Sequence, residues 1–158
     1  MAGQVSVAVI GVGRIGRLHA RNLAQRIPEA SLRAISDVNG EALGACAREL
    51  GVSFAVEDYR AVVEKAEIEA VVICSSTNTH SQIITEAAAA GKHIFCEKPI
   101  DLDLNRIEGA LGAVEEAGVK LQVGFNRRFD PSFRRAREAV AGGRIGEPHL
   151  LRITSRDP

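Results

Sequence analysis

The chain lacks a surplus of charge of either sign. Its 20 lysines and arginines are balanced by 20 aspartates and glutamates. Nucleic acids and anionic membranes both attract a basic excess, so the balance argues against either as a partner. No apolar run is long enough to span a bilayer. Cysteine is scarce: Cys46, Cys74 and Cys96 make an odd set with no CxxC pair. That argues against a disulfide framework or a cysteine-built zinc site, and no metal site is expected. It also fits a reducing compartment. The opening MAGQVSVAVIGVGRIG has no basic region leading into a signal-type apolar stretch. The expected location is the cytoplasm. Internal repeats, low-complexity tracts and long linkers are also missing.

What remains is an ordinary globular pattern. With 158 residues, 46% of them hydrophobic, the chain can bury one real core. Strand-like runs alternate with helix-period segments. Strands are expected at Val5–Ile10, Leu32–Asp37, Ser53–Val56, Ala70–Cys74, His93–Cys96 and Val119–Gly124. Between them, Leu43, Cys46, Ala47 and Leu50 follow helical spacing. Ile83, Ile84, Ala87 and Ala88 do the same after a capping box at Thr79 and Gln82. Leu104, Ile107, Leu111 and Val114 form another stripe, and Asp130-Pro131 opens a last helix reaching about Val140. Strands alternating with helices imply right-handed crossovers and a parallel sheet covered on both faces. The expected fold is α/β, a doubly wound Rossmann sheet of order 3-2-1-4-5-6.

The Gly-rich Ala141–Pro148 stretch is the expected boundary. It divides a dinucleotide-binding domain at 1–147 from the start of a second domain at 148–158. His149–Ser155 alternates as a strand, with Leu151 and Ile153 on one face. The alternative is a final edge strand of a complete domain. Read as the first strand of a missing C-terminal α/β domain, its exposed face would favour self-association.

Gly11-Val12-Gly13-Arg14-Ile15-Gly16 follows the first strand and opens a helix. Gly11 permits the tight turn, Gly13 lets a pyrophosphate approach the backbone, and Gly16 lets helix and strand pack closely. The helix N-terminus offers free N–H groups and partial positive charge to phosphates. A lone GxGxxG is weak evidence. Here Asp37 ends the second strand about twenty positions further on, where a carboxylate meets the adenosine ribose and repels a 2′-phosphate. The reading is NAD rather than NADP. Two alternatives stay open at this point: a structural turn with Asp37 as a helix cap, and a methyltransferase. The methyltransferase would have no basic residue after strand five.

Ligands bind at the carboxyl ends of strands in such sheets. The unusual polar residues gather there. Strand four ends in Ser75-Ser76-Thr77-Asn78, strand five in Glu97-Lys98-Pro99, and strand six in Gly124-Phe125-Asn126-Arg127-Arg128.

The Glu97-Lys98-Pro99 run after HIFC, together with GVGRIGRLH and GFNRRFDPSF, resembles the glucose-fructose oxidoreductase/inositol dehydrogenase (Gfo/Idh/MocA) family. The resemblance covers the whole chain. The closing GEPHLLRITSRDP is most similar to the inositol dehydrogenase members. The resemblance implies hydride transfer from a ring C–H of a cyclic polyol to NAD, giving a ketone. It implies a C-terminal domain that carries part of the substrate site and the oligomer interface.

It also implies roles for matching positions. Lys98 would sit by the nicotinamide and the reacting hydroxyl as the catalytic cation, with Pro99 after a cis bond. Asn126, Arg127 and Asp157 would reach the polyol. Arg127 in a structural ion pair is an equal alternative, and for Asp157 the structural reading is favoured. Gly11, Gly13, Arg14, Ile15, Gly16, Asp37, Ser75, Ser76, Thr77, Asn78, His80 and Glu97 would line the cofactor path. For His80, a plain helix-start role stands beside that. His19 reads as a packed or solvent-facing helix residue, and Cys74 and Cys96 as apolar fillers. The partners would be a polyol or sugar and further copies of the chain. Two other functions stay open: a non-catalytic NAD-binding module, and a dehydrogenase of another sugar.

Overall fold

A computed structural model describes residues 3–154 and residue 156. The chain divides into two compact units, the first ending at Gly124 and the second beginning at Phe125.

The first unit holds six strands: β1 (Val5–Ile10), β2 (Ala30–Ser36), β3 (Phe54–Val56), β4 (Ala70–Ile73), β5 (His93–Cys96) and β6 (Leu121–Val123). Five helices connect them: α1 (Arg14–Gln25), α2 (Gly40–Leu50), α3 (Arg60–Val63), α4 (Thr77–Ala89) and α5 (Leu104–Ala117). Every pairing is parallel and the order is β3-β2-β1-β4-β5-β6, as expected. The winding reverses between β1 and β4. Such a switch point leaves a crevice outside the strand ends.

The central strand explains why both faces are covered. Successive side chains of a strand point to opposite faces. Val7 and Val9 enter the core with Ala20, Leu43 and Cys46, under α1 and α2. Ala8 and Ile10 enter a separate core with Val62, Ile83, Ile84 and Ala110, under α3, α4 and α5. The run Val7–Ile10, apolar at every position, therefore serves two cores. The register slips by one between β1 and β2, where Leu32 and Ala34 face consecutive residues Val7 and Ala8. Arg33 is the bulged residue and stays exposed.

Two glycines end helices in the left-handed conformation, Gly51 after α2 and Gly118 after α5. Without a Cβ they carry little penalty there and turn the chain toward the next strand.

The second unit contains a 3-10 turn, Asn126–Phe129, and α6 (Pro131–Ala141). Asp130 caps α6 by accepting the Ser132 and Phe133 N–H groups.

Two expectations are corrected. The strand at 149–155 is missing among the described residues 149–154. Leu150, Leu151 and Ile153 are exposed there. A strand needs a neighbour for its ladder, and none pairs with this stretch. Secondly, α4 starts at Thr77 rather than after Thr79. The Thr79 hydroxyl donates to the Ser76 carbonyl, so Thr79 lies inside the first turn, and Gln82 donates to Glu86.

Candidate functional site

A cleft of about 330 Å³ opens at the switch point, between the ends of β1, β2 and β4. Gly11, Gly13, Asp37 and Ser75 are part of its wall.

The three glycines differ in what they allow. Gly11 has φ +88°, and a Cβ there would lie 2.5 Å from the Ser75 nitrogen. A Cβ on Gly16 would lie 1.8 Å from the Gly11 carbonyl oxygen. Both are required by the fold itself. A Cβ on Gly13 meets nothing within 4 Å. Gly13 is exposed at the cleft, so its bareness leaves space rather than relieving a clash. Gly13 is also the N-cap of α1. The first helical bond runs from the Arg17 N–H to the Gly13 carbonyl. The N–H groups of Arg14, Ile15 and Gly16 precede it and have no partner within the helix. This is a cradle of the size and polarity that a phosphate takes.

Asp37 stands just past β2. One carboxylate oxygen accepts the Val12 N–H at 2.7 Å, and the other accepts the Asn39 N–H at 2.8 Å. Asp37 is not the helix cap, since Asn39 caps α2. Its carboxylate is half-buried at the cleft wall and keeps lone pairs free for a further donor.

Ser75 and Thr79 share a hydroxyl bond of 2.8 Å at the start of α4. Ser76 lines the cleft and is exposed. Thr77 is the first residue of α4 and Asn78, the next, is exposed. The Asn78 carbonyl accepts Arg106 from α5.

At the end of β5, Glu97 bonds His19 of α1, Oε1 to Nε2 at 2.8 Å, and the His19 ring rests against Phe95. The other Glu97 oxygen accepts the Lys98 N–H at 3.3 Å. His19 is therefore tied to the Lys98 loop rather than being a plain helix residue. The Lys98 side chain is exposed and makes no hydrogen bond or ion pair among the described residues. The Lys98–Pro99 bond is cis.

His80 is 2% exposed. Its Nδ1 lies 2.8 Å from the Pro99 carbonyl oxygen and its Nε2 2.9 Å from the Ser75 carbonyl oxygen. Each ring nitrogen thus faces a carbonyl oxygen of the protein.

In the second unit, Asn126 is exposed, and Arg127 pairs with Asp130 at 3.6 Å while lying over the Phe133 ring. Asp157 lies outside the described residues.

Val38, Glu57 and Tyr59 are among the cleft residues that were not foreseen. Val38 is 90% exposed, and its place directly after Asp37 was the available signal. Tyr59 reads as helix face in the sequence. In the structure its hydroxyl donates to Glu86 at 2.8 Å. Burial, and then the Glu86 carboxylate, push its pKa up to about 12.

Among the described residues no three metal-ligating side chains gather to hold an ion, and no helix is long and apolar enough to cross a membrane.

Residues 5–125 match the oxidoreductase family with an NAD-binding Rossmann fold, GFO_IDH_MocA. The chain belongs to this family. It is 49% identical over 152 residues to a myo-inositol 2-dehydrogenase of Thermotoga maritima, covering 96% of this chain and 45% of that protein. It is 48% identical over 158 residues to an uncharacterized oxidoreductase of Bacillus subtilis, covering all of this chain and 46% of the relative. Among solved structures, it is similar to the scyllo-inositol dehydrogenase of Lactobacillus casei with bound NAD(H) and scyllo-inositol. There the TM-score is 0.87 and the identity 41%, over 91% of this chain and 43% of that one. The chain thus spans a little under half the length of these relatives.

Proposed function

We propose that the chain is the NAD-binding part of a dehydrogenase that oxidises a cyclic polyol of the inositol kind to a ketone. The observation that carries this is the cleft: an open Gly13 cradle beside a fixed Asp37 carboxylate, with Lys98 free at the next strand end but one. The residues fit the dinucleotide. The N–H groups of Arg14 and Ile15 would hold the pyrophosphate, and Asp37 would accept the ribose hydroxyls and repel a 2′-phosphate. Ser75, Ser76, Thr77, Asn78 and the Glu97 region would line the path toward the nicotinamide. The bound cofactor supplies the hydride acceptor.

The exposed Lys98 ammonium would hydrogen-bond the polyol hydroxyl and stabilise its charge as the proton leaves. Asn126, Arg127 and Asp157 belong to the same reading as polyol contacts, as does a division near residue 147 between cofactor and substrate parts. Cytoplasmic location and assembly with further copies complete the proposal. They rest on the resemblance and on the unpaired cysteines. The alternative is a module that binds NAD without turnover.

The test is turnover of cyclic polyols with NAD+ in a full-length protein carrying this domain. Lys98→Ala lowers kcat by about 10²–10⁴, the range of general acid–base catalysis. A kcat close to wild type would contradict the assignment.

A further inference from the structure

The loop that carries Lys98 is exposed at Lys98 and Pro99, yet it is anchored from below at several points. His80 spans two backbones: the Ser75 carbonyl at the cleft wall and the Pro99 carbonyl next to Lys98. The neighbouring Ser81 hydroxyl donates to the Asp101 carboxylate at 2.5 Å. Asp101 is 7% exposed and also accepts the Leu102 and Asp103 N–H groups and faces Arg106. The Ser81 hydroxyl, with those backbone donors and Arg106, holds its carboxyl below the usual range. Adjacent residues of one helical turn thus grip both sides of Ile100.

We infer that His80 is a positioning residue that ties the Lys98 loop to the start of α4, beside the Ser75 wall of the cleft, through its bond to the Pro99 carbonyl, and that it does not touch the cofactor. Both carbonyls are acceptors. A ring nitrogen bonds them only where it carries hydrogen, so the charged ring serves both and a neutral one serves either. The brace matters because a reacting group must be held to a fraction of an ångström, and a long lysine on an exposed loop is otherwise free to wander. Its consequence for turnover rests on the proposed role of Lys98. The brace itself does not.

Two substitutions separate the Pro99 bond from simple packing. In His80→Asn the amide nitrogen stands near the place of Nδ1 and retains the Pro99 bond. In His80→Gln it stands near Nε2 and retains the Ser75 bond. The measurement is made on the 158-residue chain. Order at the Lys98 and Ile100 amides is read by heteronuclear NOE without ligand. The 13C signal of reductively methylated Lys98, assigned by its loss in Lys98→Arg, is then followed during titration with NAD+. The Gln variant is expected to loosen the Lys98 and Ile100 amides and to lose the lysine response to NAD+. The Asn variant is expected to keep both. Affinity for ADP-ribose, which lacks nicotinamide, stays within about threefold in both, less than 1 kcal/mol.

Equal behaviour of the two variants, whether both intact or both loosened, would overturn the brace. A tenfold loss of ADP-ribose affinity in both would instead make His80 a cofactor residue. If the wild-type lysine signal ignores NAD+ while the amides loosen only in the Gln variant, the brace stands and the proposed function fails.

Discussion

The Asp37 carboxylate accepts the Val12 N–H at 2.7 Å, which ties the end of the second strand to the middle of the glycine turn. The two parts of the fingerprint, far apart in the chain, are therefore one rigid object. A carboxylate so held can present its remaining lone pairs in a fixed direction.

Asp37→Ala is expected to weaken NAD binding and to narrow the preference over NADP. A hydrogen bond to a charged group contributes about 1.5–3 kcal/mol, or roughly ten- to a hundredfold in affinity. Asp37→Asn keeps an acceptor for Val12 but removes the charge, so it should affect NADP more than NAD. Calorimetric titration of each variant with both nucleotides checks this. An unchanged preference would remove Asp37 from the ribose.

The glycines predict opposite outcomes. Gly13→Ala should fold with nearly unchanged stability, since its Cβ meets no atom within 4 Å, and should bind NAD more weakly because the cradle is filled. Gly16→Ala should lower thermal stability, because its Cβ would overlap the Gly11 carbonyl oxygen. Overpacking of this kind costs about 1–3 kcal/mol or more. Melting temperatures and NAD affinities measured side by side separate the two.

Tyr59 is the single tyrosine of the chain, so tyrosinate absorbance reads it alone. Burial and the Glu86 bond push its pKa up to about 12, against 10.0 for the free group. A folded pKa above the unfolded one favours the folded state below pH 10, and that contribution fades as pH rises toward 12. The titration should fall back toward 10 in Glu86→Gln. A wild-type midpoint near 10 would contradict the buried, bonded phenol.

Cys74 and Cys96 should be slow toward thiol reagents at neutral pH. Burial, then the Glu97 charge, pushes each thiol up to about 12, and the thiolate is the reactive form. Rapid labelling of the native chain at either position would contradict the packing around the ends of β4 and β5.

Much of this was legible in the chain. The apolar run Val7–Ile10 has no alternation, and that alone says it is buried on both faces. Glycine spacing and Asp37 then fix which strand ends form the cleft. What was not legible depends on contacts between distant segments. His19 and Glu97 are 78 positions apart and meet only because the His19 side chain of α1 reaches the end of β5. His80 and Pro99 meet because the start of α4 and the loop after β5 both lie at the carboxyl ends of the strands. Helical spacing records which face is apolar. It does not record which polar side chain will find a carbonyl. The alternation at 149–154 misled for a related reason: pattern shows what a strand would bury, not whether a neighbour is there to pair with it.

The proposal turns on the cleft between β1 and β4 holding NAD, with a free lysine just past the end of β5. The most direct measurement is an amide-resolved NMR titration of the 158-residue chain with NAD+ and, separately, NADP+. The account predicts saturable shifts at Gly13, Arg14, Ile15 and Val38, reached at lower concentration with NAD+ than with NADP+. Unmoved amides at these positions with millimolar NAD+, or tighter binding of NADP+, would contradict it.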